Sequence, residues 1–443
     1  MNRSRRTLLL VALVAVPVQA QERLTLAAAV DRALAQFPSV AAARARQQQA
    51  EEALGEARAG RGPFARLTSS ATQFEKPMVV TPIHGFSPGQ LPEFDETLFQ
   101  SQLSLSLTLY DGGATGARIR AAGSQLGSAG AALGAAEQVL AEQVAQAYLT
   151  ALGQARVVAA HDTRLAALEA ELARARLRLE AGKSPQVEVL RAEAALAGAR
   201  SQRVSLAAAL DNAERDLARL LGVPVEETRA PRLAATALTV TSPPDREALA
   251  RAGVEASPAV AQARAQLAAA EANVNLAASA RKPELRAVTN LNDWGSSQGH
   301  AATEWNAGFQ LSLTVFDSGA TSRRIAAAEA ARVAAAEQVR LAETQVRQDV
   351  DRAAAAAEEA QARVESLEKA AERYAEVARV QKLLLDNGAG TQTDYLNAEA
   401  DLLAARASLA EAEQSVILAR VDLARAAGQL TPAWLQANLE TKP

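Results

Sequence analysis

The hydrophobic positions of this 443-residue chain follow two periods, and the switch between them marks out its elements. Leucines recur at helical spacing between Leu126 and Leu179, in a stretch without proline. This pattern predicts a long helix over about 115–181, which spans roughly 100 Å at 1.5 Å per residue. Gly182 is typical of a helix C-terminus, and a second helix is predicted over about 186–221.

A period of two replaces the helical period just ahead of the long helix. Leucine occupies every second position of residues 103–109, alternating with serine and threonine, so one face is apolar and the other polar. Residues 309–315 alternate in the same way. Two β-hairpins are therefore predicted, over about 64–110 and 284–316, with strands long enough to cross a bilayer when tilted. The partner strands are predicted at 64–74 and 285–293.

The whole arrangement occurs twice, which indicates a tandem duplication. Tyr110-Asp111-Gly112-Gly113 recurs as Phe316-Asp317-Ser318-Gly319 about 206 residues later, and Gly182 recurs at the same spacing as Gly388. In the second repeat, the long helix is predicted over about 321–387 and the shorter one over about 392–427. The predicted organisation is a signal peptide (1–20), a first repeat (21–222), a connector (223–244), a second repeat (245–428) and a C-terminal tail (429–443).

The spacing between equivalent positions changes inside the hairpins. Ahead of them, Gly62-Pro63 recurs as Lys282-Pro283 about 220 residues later, so the first hairpin carries a loop about 14 residues longer. Four prolines lie in that interval, as expected of a loop. The connector also contains four prolines, which break helices and predict an extended segment.

The N-terminus has the pattern of an export signal. Arg3, Arg5 and Arg6 precede an apolar run and then Val18-Gln19-Ala20, which predicts a secretory signal peptide cleaved after Ala20. The apolar run is too short to be a membrane-spanning helix. The mature protein is therefore expected to be exported from the cytoplasm.

Composition narrows the classes of function. Only 3% of the residues are aromatic, whereas an ordinary enzyme of this length uses more rings to fill its core. Most of these rings lie in the hairpin segments, where a membrane interface would use them. The formal net charge of -3 gives no argument for a nucleic-acid partner. The absence of cysteine excludes disulfides and thiolate metal sites.

No catalytic residue, cofactor or metal site is predicted. His84, His161 and His300 are scattered along the chain, and no two of them share a helix at metal-binding spacing. Two of the three fall in the predicted hairpin loops. With 2 methionines and no cysteine, the chain lacks the ligands of a soft-metal relay. Residues 111–116 have the glycines of a phosphate-binding loop, but they lack the P-loop lysine.

Four strands per chain leave two open sheet edges, so an oligomer is expected. A trimer would supply twelve strands, which is within the range of membrane barrels. The competing interpretation is that the two hairpins cap a soluble helical bundle.

The sequence resembles the TolC-like outer-membrane efflux (outer-membrane factor) family over essentially the whole mature chain. The resemblance rests on the duplicated element order, the strand-to-helix segments at Tyr110 and Phe316, and the turns after Gly182 and Gly388. It implies a mainly α fold with a small β part. In a homotrimer, the strands would form a 12-stranded outer-membrane barrel surrounded by lipid, and long antiparallel helical hairpins would form a periplasmic tunnel.

The resemblance also implies a function and partners. The chain would be a passive outer-membrane channel of a tripartite efflux or type I secretion system, not an enzyme. It would conduct substrates from an inner-membrane efflux pump joined to it by a periplasmic adaptor (membrane fusion protein). The alternatives are an exported soluble coiled-coil scaffold or tether, and the adaptor itself. An adaptor predicts one helical hairpin between β domains, whereas two equivalent hairpins occur here.

The resemblance further points to the periplasmic tip. Asp394 and Asn397 match a pore constriction, where three copies of Asp394 would favour cations. Glu188 is the first-repeat equivalent of Asp394 and is expected in a groove or at the tip. Both carboxylates also suit a helix N-terminus. Gly390 replaces a basic residue with which some members latch the closed tip. The expected adaptor contacts are the tip turns, at Gly182, Lys183, Ser184, Gly388, Ala389 and Gly390.

Overall fold

The computed structural model describes residues 24–84, 88–89, 94–223, 233–238 and 245–442. The predicted signal peptide and most of the predicted connector lie outside these residues. The first repeat consists, in chain order, of α1 (Leu26–Gln36), α2 (Pro38–Ala59), β1 (Phe64–Met78), α3 (Thr81–His84), β2 (Asp95–Tyr110), α4 (Ala114–Glu180) and α5 (Gln186–Leu220).

The second half repeats this order without an equivalent of α3, and it adds elements before and after the repeat. Its elements are β3 (Ala235–Leu238), α6 (Arg246–Ala256), α7 (Pro258–Ser279), β4 (Glu284–Ser296), β5 (Ala301–Ser312), α8 (Ala320–Asp386), α9 (Gln392–Ala426), α10 (Pro432–Asn438) and β6 (Leu439–Lys442). The added elements are β3, which precedes the repeat, and α10 and β6, which follow it. The prediction of a mainly helical, duplicated fold with a small antiparallel sheet is confirmed. The short helices α1 and α6 were not predicted as separate elements.

Proline explains why each repeat starts with two helices instead of one. Pro38 and Pro258 are the first residues of α2 and α7. Proline suits the first turn of a helix, but it has no N–H to continue the helix before it. The preceding residues, Phe37 and Ser257, are extended, so α1 and α6 end there.

The helices form long antiparallel hairpins of matched length. α4 and α8 have 67 residues each, or about 100 Å at 1.5 Å per residue. α4 packs against α2, α5 and α7, and α8 packs against α7 and α9. Among the described residues, no helix is long and apolar enough to cross a lipid bilayer.

The four-stranded sheet has the order β1-β2-β4-β5, with antiparallel neighbours throughout. β1 extends to Met78, four residues beyond the strand predicted at 64–74. The strand predicted at 309–315 is too long, because β5 ends at Ser312. Ser312 pairs with Glu284, and the next position on β4 is Pro283, whose missing N–H ends the ladder.

The largest core cluster surrounds Tyr148 of α4. Its hydroxyl lies 2.7 Å from the carbonyl oxygens of Leu24 and of Ala234, so it ties the start of the chain to the connector. The predicted C-terminal tail is structured, because α10 packs on α1 and β6 pairs with β3 of the connector. The described part of the connector is thus held by the tail.

Candidate functional site

Cross-strand pairing sorts the sheet into two chemically different faces. Opposite residues on neighbouring strands share a face, and Leu67, Leu103, Leu291 and Trp305 form one row across all four strands. The adjacent row, on the other face, contains only polar side chains. It consists of Arg66, Ser104, Asn290 and Asn306.

The apolar face is the more exposed one, which is the reverse of a soluble sheet. Leu67 is 69% exposed and Trp305 is 75% exposed. Phe309, on the same face of β5, is 76% exposed. A contiguous apolar patch of this kind marks a surface that another apolar phase or molecule covers.

Both outer strands of the sheet lack a partner among the described residues. β1 and β5 each pair on one side only, with β2 and β4 respectively. Their outer N–H and C=O groups form a template for another strand. Side chains along the β5 edge are exposed at every position except Ala302, which is half-buried.

The strand-to-helix junctions are built alike in the two repeats. Asp111 accepts hydrogen bonds from the backbone N–H groups of Gly113 (3.0 Å) and Thr115 (2.5 Å) at the start of α4. Asp317 accepts equivalent bonds from Gly319 (3.0 Å) and Thr321 (2.7 Å). These bonds pair N–H groups that a helix start leaves without a partner. The motif therefore serves to turn the chain, and the N–H groups that a phosphate would need are already occupied.

The junctions differ at the residue after the aspartate. Gly112 has φ +66°, and a Cβ there would lie 2.7 Å from Cβ of Lys282 and 3.0 Å from the carbonyl oxygen of Ser279. The Lys282 ammonium donates to the Gly112 carbonyl (3.1 Å). Ser318, at φ +54°, takes the equivalent place in the second repeat. Only the first junction is therefore enclosed by another part of the described chain.

At the far end of the helices lie the two predicted tip turns, residues 182–185 and 387–391. Gly182 and Gly388 have φ +67° and +74°, and the chain reverses there to start α5 and α9. Lys183, Ser184, Ala389 and Gly390 complete the turns. A Cβ at Gly390 would lie 3.0 Å from Cβ of Leu384, so close packing favours glycine at this position.

Asp394 and Asn397 lie on the exposed face of α9. The opposite face of the same turns is buried and includes Tyr395 and Ala398. Asp401 continues the exposed stripe two turns beyond Asp394; the sequence analysis missed it, although its spacing of seven residues was the available signal. The structure thus places the two predicted residues on one stripe.

Asp394 also takes part in capping α9. Its N–H donates to Thr391 Oγ1 (3.1 Å), and the Thr391 hydroxyl donates to the Asp394 carboxylate (2.6 Å). Glu188 has the same position in α5 but is half-buried, and Pro185 replaces the capping threonine. The two equivalent carboxylates therefore have different surroundings.

Several contacts join the second tip to the first. The Arg191 guanidinium donates to Thr393 Oγ1 (2.9 Å), and Leu396 packs on the apolar cluster between α4 and α5. Gln392 is buried, with Nε2 3.5 Å from Glu171 Oε1. Burial, with Glu399 and Glu171 nearby, raises the pKa of Tyr395 to about 12, so its phenol is neutral.

Two of the three histidines that were interpreted as scattered, His84 and His300, lie together with Asp95. His84 and His300 both contact Asp95 at the end of the sheet remote from the helices. That earlier interpretation is wrong, because neighbouring hairpins bring their loops to the same end of a sheet. The signal available in the sequence was that both histidines fall in hairpin loops. His161 lies apart from them, in α4.

Comparisons with known proteins agree with this architecture. The family described as outer membrane efflux protein matches residues 29–223 and 249–429. The outer membrane efflux protein BepC of Brucella suis is 26% identical over 364 residues, covering 80% of this chain and 77% of BepC.

Two solved structures share the fold. A membrane protein from Pseudomonas aeruginosa superposes with a TM-score of 0.76 at 22% identity, covering 91% of this chain and 93% of that chain. The outer membrane protein VceC from Vibrio cholerae superposes with a TM-score of 0.73 at 20% identity, covering 91% and 96% respectively. At these identities, the likeness establishes the architecture of helices and strands.

Proposed function

The chain belongs to the outer membrane efflux protein family, and from that premise we propose that three copies assemble into one duct through the outer membrane and the periplasm. The family consists of outer-membrane efflux channels, and this chain is such a channel. Membership favours this function over an exported scaffold. The trimer, cleavage of the N-terminal 20 residues, the adaptor and pump partners, and the passive character of transport are the finer parts of the proposal.

The observation that carries the proposal is the exposed apolar face of a sheet with two open edges. In water, that face and those edges would favour aggregation. In a bilayer, every backbone polar group needs a partner within the protein, which a closed ring of strands supplies. Twelve strands from three copies would close such a ring, with the apolar row outside and the polar row lining the lumen.

The duplication predicts the register in which two copies meet. Within the chain, Leu103 of β2 opposes Leu291 of β4. The repeat equivalents of these residues are Phe309 of β5 and Ala71 of β1, so Phe309 of one copy should face Ala71 of the next. Both residues belong to the apolar face, as this pairing requires.

The junction residues support the same contact. Gly112 leaves room for Lys282 inside the chain, and their repeat equivalents are Ser318 and Gly62. In the first pair the glycine lies at the junction and the side chain follows α7, whereas in the second pair the side chain lies at the junction and the glycine follows α2. Ser318 of one copy can therefore approach Gly62 of the next without the clash that a serine at position 112 would cause.

At the other end, the helical tips would form the periplasmic entrance. Asp394, Asn397 and Asp401 would line the constriction as stacked rings, and a carboxylate ring favours cations. The contacts of Arg191 with Thr393, and of Leu396 with the α4–α5 cluster, would hold the second hairpin inward. The exposed turns 182–185 and 387–391 would contact the adaptor.

Cysteine cross-linking tests the assembly cleanly, because the natural chain contains no cysteine. The double variant Ala71→Cys/Phe309→Cys should form reducible covalent dimers and trimers in outer-membrane fractions. A bond within one chain is excluded, because β2 and β4 separate β1 from β5 by about 14 Å. The matched control, Ala71→Cys/Gln310→Cys, places the second thiol on the opposite face and should not cross-link.

The outcomes separate the register from the function. A heat-sensitive oligomer in the outer membrane that fails to cross-link would overturn the proposed register but leave the channel standing. A monomer in the soluble periplasmic fraction would contradict the channel itself.

A further inference from the structure

We propose that His84, Asp95 and His300 form a Zn²⁺ site that fastens the loop of the first hairpin onto the second hairpin. The site lies at the end of the sheet remote from the helices, away from the tip residues. Its three ligands come from α3, from the start of β2 and from the turn between β4 and β5. The proposal does not depend on the number of copies in the channel.

The donor atoms already converge on one point. His84 Nε2 and His300 Nδ1 each lie 2.9 Å from Asp95 Oδ2, and one donor atom from each residue falls within 4.8 Å of the others. Tetrahedral Zn²⁺ with ligand bonds of about 2.0–2.1 Å separates its donor atoms by about 3.3 Å. The two N···O separations of 2.9 Å need to widen by about 0.4 Å, and the two imidazole nitrogens, which lie within 4.8 Å of each other, need to come to about 3.3 Å.

The cluster is buried, which distinguishes it from an ordinary group of charges on the surface. The side chains of His84 and Asp95 are fully buried, and Asp95 Oδ1 has no hydrogen-bond partner among the described residues. A buried carboxylate oxygen without a partner is unfavourable, and an ion beside Oδ2 would satisfy Oδ1 by binding both oxygens of the carboxylate. The His300 side chain is 29% exposed, which leaves a path for the ion and a position for water.

The chemistry of the three ligands selects the ion. Two imidazoles and one carboxylate suit Zn²⁺, whereas Ca²⁺ and Mg²⁺ prefer oxygen ligands. The described residues around the cluster offer no thiolate, because the chain has no cysteine. Cu²⁺ binds the same donors, so the ligand set favours Zn²⁺ and Cu²⁺ over Ca²⁺ and Mg²⁺.

One hydrogen bond opposes the ion and sets an upper limit on its affinity. Val80 N–H donates to Nδ1 of His84 (2.7 Å), which assigns the ring proton to Nε2. Zn²⁺ bound at Nε2 requires the proton on Nδ1, so this bond has to break. We therefore expect micromolar affinity instead of the much tighter binding of structural zinc domains.

The surrounding contacts explain what the ion would do. α3 packs on β4 and β5, and Gln298 Nε2 donates to the Phe94 carbonyl (3.4 Å) across the two loops. Ser297 N–H also donates to the Thr97 carbonyl (3.3 Å). Zn²⁺ would add a strong link to these weak ones, so α3 and the start of β2 would be held against the turn between β4 and β5.

The test measures Zn²⁺ binding to the full-length protein in detergent, purified with a tag that contains no histidine and stripped with a chelator. Equilibrium dialysis should give one Zn²⁺ per chain, with a Kd of about 10 µM or below. His300→Ala should weaken binding at least about tenfold, because it removes one of three ligands. Co²⁺ should give visible absorption bands that the same variant loses. His161→Gln, which changes the remaining histidine, should bind Zn²⁺ like the natural protein.

Asp95→Asn and His84→Ala change fully buried groups and could disturb the fold, so the test relies on His300→Ala. The unfolding midpoint of His300→Ala shows whether that variant keeps the natural fold. Equal Zn²⁺ affinity in His300→Ala and the natural protein would overturn the site. The site would also be overturned if the natural protein bound Zn²⁺ only in the millimolar range and His300→Ala unfolded more easily than the natural protein. In that case, the cluster acts only as a hydrogen-bonded link between the loops.

Discussion

The two repeats share one order of elements but differ in what surrounds them. The first half of α4 lies half-buried against α2 and α7, whereas the first half of α8 is largely exposed. The first junction is covered by Lys282, and the second, at Ser318, is open among the described residues. The first repeat is therefore covered by other parts of the described chain, whereas the second leaves a surface that a neighbouring copy would cover in the proposed oligomer.

The largest effect is expected when the first junction is given the serine that the second junction already has. Gly112→Ser would place a Cβ 2.7 Å from Lys282 Cβ at a positive φ, so we expect a loss of about 3 kcal/mol or more, or failure to assemble. Ser318→Gly removes a side chain from an open site and should change stability by less than about 1 kcal/mol. Denaturant unfolding and the yield of oligomer measure both variants.

Gly113→Ala controls for backbone strain alone. Gly113 has φ +94°, but no atom lies within 4 Å of a Cβ placed there. We expect a cost of about 1–2 kcal/mol, which reflects strain without a clash. A cost at position 113 equal to that of Gly112→Ser would mean that Lys282 is irrelevant to the first junction.

The next largest difference lies in the core. Tyr148 is fully buried and hydrogen-bonded to main-chain carbonyls, whereas its repeat equivalent is Ala354. Tyr148→Phe leaves those carbonyls without the hydroxyl donor, so we expect a loss of about 1–3 kcal/mol in chemical unfolding. Tyr374→Phe, at an exposed position on α8, should have almost no effect. Equal effects at the two positions would refute the link to the connector.

Acid should affect the two junctions alike, because capping is local. Burial raises the pKa of Asp111, but bonds from the Thr115 side chain and from backbone N–H groups outweigh it, so the net pKa is lowered. Hydrogen bonds, chiefly from Thr321, lower the pKa of Asp317. Both carboxylates therefore stabilise the fold above the unfolded-state pKa of about 3.9, and this contribution is lost as pH falls through the lower folded-state pKa.

We expect Asp111→Asn and Asp317→Asn to lower the unfolding midpoint at pH 7 by similar amounts, and to flatten its fall between about pH 5 and pH 3. Melting curves recorded across this pH range test the expectation. A much larger effect at Asp111 would show that the surrounding helices, not the local cap, decide the strength of the junction.

The smallest expected effect concerns conduction through the tip. Asp394→Asn should weaken block by divalent cations several-fold in planar bilayers, because a ring of three charges would be lost. Glu188→Gln, at the equivalent position of the first repeat, should leave the block unchanged. If both variants or neither weakens the block, Asp394 is not the pore-facing member of the pair.

Local signals in the sequence were enough for the long helices, their shorter partners and most of the four-stranded sheet. The long helices predicted over 115–181 and 321–387 are observed as Ala114–Glu180 and Ala320–Asp386, because periodicity and glycine stops are read over a few turns. The strand predicted at 309–315 was overlong, because its end depends on Pro283 in the partner strand. The tail and the connector were also beyond prediction, since β3 and β6 exist only as a pair.

Some features of the candidate site could be predicted from the sequence, and others depend on how the helices pack. Asp394 and Asn397 could be named from a motif within one helix, and their shared exposed face follows from helical spacing. The contact of Arg191 with Thr393, which joins two hairpins, could not be read from spacing. It depends on how the two helical pairs pack against each other.

By itself, the sequence determined the duplication, the two-faced strands and the glycine turns at the ends of the long helices. These features follow from short-range sterics and from the alternation of polar and apolar side chains, which each segment carries on its own. Only the tertiary structure decided that His84, Asp95 and His300 meet, because their contact requires strand order and a folded loop to bring distant residues together. Residues far apart in sequence leave no periodic signal of their proximity, so their chemistry becomes visible only in three dimensions.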